Sequence, residues 1–84
     1  MHRYQAMELF IDAIEETLAH DGVLTREKWT ELERNLLPCS EAVFVEVMTH
    51  IEIRTKINPI LIKAALEEQE QLTAAELKAL VNIG

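Results

Sequence analysis

A short helix-capping pattern occurs three times in this chain. In each copy an apolar residue precedes Ser or Thr, and a second apolar or aromatic residue follows a few mostly polar positions later. The hydroxyl oxygen can accept hydrogen bonds from free N–H groups at a helix start, while the apolar pair closes over the cap. So many helix starts in 84 residues predict an all-α protein. The copies are Leu24–Trp29, Cys39–Phe44 and Leu72–Leu77, and Glu76 makes the third a full capping box.

The length and composition predict one folded domain that covers residues 1–84. Hydrophobic residues make up 49% of the chain and charged residues 27%, which excludes intrinsic disorder. The apolar runs are too short to cross a bilayer, and no secretory signal is visible at the start. The single Cys39 cannot form an internal disulfide. We therefore expect a cytoplasmic protein with no membrane contact, and a chain this short is not expected to hold a deep enzyme cleft.

Residues that typically end or start a helix divide the chain into helical segments. Asp21-Gly22 supplies the left-handed residue that commonly follows a helix, and Pro38 stops the next one. Asn58-Pro59 marks another start, because proline suits the first helical position. The sequence thus predicts a compact bundle of about five short helices at 3–20, 26–37, 41–57, 59–71 and 74–82.

The segment 43–57 carries two competing signals. Its β-branched residues fall on alternate positions, which is the period of a half-buried strand. Against a strand, Val43, Val47 and Ile51 also form a helical stripe together with two further apolar residues, Phe44 and Met48. Ser40 offers a cap, and no second strand candidate is available as a partner. Helix is the favoured prediction, and a strand would have to pair with another subunit. The alternating residues are Val43, Val45, Val47, Thr49, Ile51, Ile53, Thr55 and Ile57.

The net charge of the chain limits which classes of partner it can bind. The net charge is −7, from 15 acidic and 8 basic residues, and a polyanion such as nucleic acid is repelled by such a surface. Nucleic-acid binding is therefore disfavoured. The acids that define a candidate acidic face in the first helix are Glu8, Asp12, Glu15 and Glu16. They form either a solvated face that keeps the protein soluble or a docking face.

No motif in the sequence predicts catalysis, a cofactor or a metal ion. Cys39 precedes a helix, where a thiol can become reactive, but no His is nearby and the capping role accounts for it. Glu16 and His20 are four positions apart, as are Glu46 and His50, and such pairs are typical of ion pairing on a helix. We expect no enzyme activity, no cofactor and no metal.

One part of the chain resembles the core of a helix-turn-helix. Leu32–Leu36, a short turn and Ser40–Phe44 follow in the order of a first helix, a turn and a capped second helix. The resemblance implies DNA binding through the helix after Ser40. The usual turn glycine is absent, and the implied reading helix is acidic until Arg54.

Ser40 also carries a resemblance to acyl carrier proteins. That family is small, acidic and helical, and a serine at the start of its second helix is covalently modified. The resemblance implies attachment of the carrier group at Ser40. The Asp-Ser-Leu of the family is Cys39-Ser40-Glu41 here, and five helices are more than the family has.

Surplus apolar residues around Pro59 indicate a contact surface. The three consecutive apolar residues at 60–62 span about 200° of a helix, so some of them must face away from their own core. They complete the core under neighbouring helices or form a subunit interface. The candidate interface residues are Ile53, Ile57, Ile60 and Leu61, with Ile57 and Leu61 at a packed junction. We therefore expect an acidic protein-interaction module, a homodimeric regulator or adaptor whose other partner the sequence does not identify.

Overall fold

The computed structural model describes residues 2–81, which form five helices and a two-stranded antiparallel sheet. The helices are α1 (Arg3–Ala19), α2 (Arg26–Arg34), α3 (Glu41–Thr55), α4 (Pro59–Glu68) and α5 (Ala74–Ala79). The strands are β1 (Val23–Thr25) and β2 (Gln71–Thr73). The longest helix, α1, packs mainly on α3, and it also contacts α2 and α5. Helix α4 packs on both α2 and α3.

All five predicted helix starts are confirmed. The Oγ1 of Thr25 accepts a hydrogen bond from the N–H of Lys28 at 3.1 Å, and Ser40 caps α3 through Val43 in the same way. The capping box at Thr73 is complete, because its Oγ1 accepts from the N–H of Glu76 while the Glu76 carboxylate accepts from the N–H of Thr73. Local side-chain chemistry therefore sets where the helices begin.

The sheet corrects the all-α prediction. Strands β1 and β2 pair in antiparallel register, with Leu24 opposite Leu72, and both leucines are buried. Two of the three capping patterns thus lie side by side. A residue that caps a helix has an extended backbone, so two such segments can form a short ladder before their helices begin. The protein is mostly helical and not strictly all-α.

The predicted helices extend too far at their C-terminal ends. Leu36 and Leu37 lie in turns that follow α2, with N–H groups bonded three residues back. Lys56 takes a left-handed conformation, with φ of 66°, and ends α3. Gln71 belongs to β2, and position 82 lies outside the described residues. After α1 the left-handed residue is Asp21, with φ of 50°, rather than Gly22.

The core is apolar and continuous. Phe10, Ile11 and Ile14 of α1 are fully buried in a cluster to which every other helix also contributes. Thr17 is the one buried polar side chain among the described residues, and its hydroxyl donates to the carbonyl of Ala13 at 2.8 Å. The remaining core residues are Ala6, Leu24, Trp29, Leu32, Leu36, Val47, Met48, Ile51, Ile57, Ile62, Leu66, Leu72 and Leu77.

Candidate interaction surface

Three of the four candidate interface residues lie on the surface. Ile53, Ile60 and Leu61 expose 57%, 63% and 47% of their area. Ile57, which is also predicted at a packed junction, is completely buried, and its backbone bridges to Val81. Near Pro59, Ile57 therefore belongs to the core, while Ile53 and Ile60 face solvent.

Helix α3 has apolar stripes on opposite sides. Two positions along a helix turn the side chain by about 200°, so the alternating pattern of 43–55 divides between two faces. Val47 and Ile51 belong to the inner stripe and are buried against α1 and its neighbours. Val45, Thr49 and Ile53 recur at a spacing of four and are exposed. The helix prediction for this segment is confirmed, and the strand-like alternation is explained.

A cleft runs beside the outer stripe of α3. It has a volume of about 130 Å³ and lies between α3 and the start of α4. Val45 and Thr49 line it on one side, and Ile60 lines it on the other. We call Val45, Thr49, Ile53 and Ile60 the α3 surface. The cleft is lined by Phe44, Val45, Met48, Thr49, Glu52, Asn58 and Ile60.

A second depression adjoins the first. Phe44 lines both, and Leu37, which exposes 77% of its area, lines only the second. A salt bridge between Lys63 and Glu33, 2.9 Å long, also borders this depression. Hydrogen bonding to Glu33 raises the pKa of Lys63 above its ordinary value. Leu61 lines neither depression.

Sequence reasoning did not single out Val45 and Leu37 as surface residues. Val45 was counted only as part of the alternating pattern, whose meaning depends on which face of α3 is covered. Leu37 was placed in the second helix, beside its apolar face, whereas the chain has already left α2 at that point. A spacing of four on both sides of one helix is the signal that could have identified the outer stripe.

The predicted acidic face lies on α1, and one of its members is paired. The carboxylate of Glu8 accepts a hydrogen bond from Nη1 of Arg54 at 2.9 Å, which ties α1 to the end of α3. This contact raises the pKa of Arg54, and Glu15 and Asp12 add smaller attractions. Asp12, Glu15 and Glu16 are exposed and line a shallow depression. These three remain the accessible part of the face.

The other polar candidates have structural roles or stand alone. Ser40 is exposed, and its Oγ accepts from the N–H of Val43 at 3.3 Å. Cys39 is a half-buried free thiol. Between residues 2 and 81, no three His, Cys, Asp or Glu side chains converge in a way that could hold a metal ion.

The two helices of the helix-turn-helix resemblance have different main neighbours. Helix α3 packs chiefly on α1, while α2 packs on α1, α4 and β1. The first residue of α3 is Glu41, and its first basic residue, Arg54, lies in the last turn. The start of the implied reading helix therefore presents a carboxylate and no positive charge of its own to a phosphate backbone.

No helix in the described part of the chain combines the length and the apolar character that crossing a membrane requires. Comparisons with known proteins supply no relative: no protein-family model matches the chain, and no curated protein and no solved structure is significantly similar to it.

Proposed function

We propose that this protein is a non-catalytic interaction module that forms a homodimer through the α3 surface and acts as a regulator or adaptor. The observation that carries the proposal is the exposure of the outer stripe of α3. A helix that is apolar on opposite sides is normally covered on both. In this chain the inner side is covered by the core, and the outer side is left to solvent.

The energetics support a weak to moderate association. Complete burial of an aliphatic side chain contributes about 1.5–3 kcal/mol. Val45, Ile53 and Ile60 are each more than half exposed, so more than half of this gain is still available to each of them. Association also costs free energy, because the two chains lose translational and rotational freedom, and this cost offsets much of the gain from burial. A small interface of this kind is typical of dimers that form and separate readily.

The charge of the α3 surface is compatible with a protein partner. The outer stripe itself carries no charged residue, and Glu52 lies at the edge of the cleft. Apolar centres with polar rims are the usual composition of protein interfaces. Because the protein has a net charge of −7, a nucleic acid is a poor alternative partner.

Sedimentation equilibrium tests the proposal. We expect the measured mass to rise from monomer toward dimer between about 10 μM and 1 mM protein, since small interfaces are weak. Ile53→Gln should shift this transition to higher concentration, because it places an amide in the apolar contact. Leu9→Gln is the matched control, since Leu9 is an exposed leucine of α1 outside the α3 surface. A wild-type chain that stays monomeric at 1 mM would overturn the homodimer.

A further inference from the structure

We draw no further inference here: the strongest candidate, the apolar depression that Leu37 and Phe44 line between α2, α3 and α4, adjoins the α3 surface already described, and nothing in the structure of residues 2–81 shows what covers it.

Discussion

The rings of Phe10 and Trp29 meet edge to face, with their centroids 4.9 Å apart and their planes at 72°. Phe10 belongs to α1 and Trp29 to α2, and both are buried. The contact therefore joins two helices within the core. Trp29 is also the single tryptophan of the chain, so its fluorescence reports on this junction.

Replacing Phe10 with Leu should weaken this junction. We expect a loss of about 1–2 kcal/mol in the free energy of unfolding, from the lost aromatic contact and the imperfect refilling of its volume. Urea unfolding followed by Trp29 fluorescence measures it. Tyr4→Leu is the control, because Tyr4 is an exposed aromatic residue and its loss should change stability by less than about 0.5 kcal/mol. Equal effects of the two substitutions would contradict the assignment.

Ile57 and Ile53 offer a matched comparison of core and surface. Ile57→Ala should cost about 2–4 kcal/mol, because it leaves a cavity in a completely buried site. Ile53→Ala should change stability by less than about 0.5 kcal/mol, because that side chain is exposed in the monomer. Circular dichroism in urea at micromolar protein measures both. A large loss from Ile53→Ala would mean that its surface is already covered at this concentration.

The capping box at the start of α5 should make stability depend on acid. Hydrogen bonding from the N–H of Thr73 lowers the pKa of Glu76 below its ordinary value of 4.5, so the folded state binds this proton less readily than the unfolded state. The contribution of the Glu76 carboxylate to the free energy of unfolding is therefore complete above pH 4.5. It is lost as the pH falls through the lower pKa that Glu76 has in the folded state. The melting temperature of wild type should exceed that of Glu76→Gln at pH 7.

The melting temperatures of wild type and Glu76→Gln at acid pH check this explanation. Near pH 3 the two melting temperatures should approach each other, because protonation removes the charge that the variant lacks at every pH. A difference that stays constant from pH 7 to pH 3 would show that the Glu76 charge does not contribute to the cap.

Removing the side chain of Lys56 should relieve backbone strain. Its φ of 66° is left-handed, and a residue with a Cβ pays about 1–2 kcal/mol there. Lys56→Gly should therefore raise the free energy of unfolding by about 0.5–1 kcal/mol after the greater entropy loss of glycine is subtracted. Lys56→Ala is the control, since it removes the charge and keeps the strain. Chemical denaturation at micromolar protein compares them, and equal stabilities would refute this explanation.

All five helix starts were predictable from the sequence, whereas of the helix ends only that of α1, before Asp21-Gly22, was predicted to within one residue. A start is marked by a residue such as Thr25 or Thr73, whose hydroxyl bonds to a backbone group three positions later. An end such as Lys56 has no comparable mark, because a lysine in the left-handed region is uncommon. The cap of α1 was also missed, since His2 provides it through a ring nitrogen rather than a hydroxyl.

The sheet and the α3 surface depended on non-local information. Strands of three residues are too short to show a period, and the partner of Leu24 is Leu72, far along the chain. Exposure of Val45 follows from which side of α3 meets α1, and a sequence with two similar apolar stripes does not say which is covered. The sequence therefore identifies the exposed apolar residues Ile53 and Ile60, but it does not separate them from Ile57, which is buried in the core.

The pairing of β1 with β2 has a consequence for the order of synthesis. Leu24 cannot find its partner until the segment around Leu72 has left the ribosome. The guanidinium of Arg26 is also bound by the carbonyl of Leu66, 40 positions later. The apolar side chains of the early part of the nascent polypeptide therefore stay exposed to water until the late part has been synthesised. A cut anywhere between these two segments should leave neither half able to fold by itself.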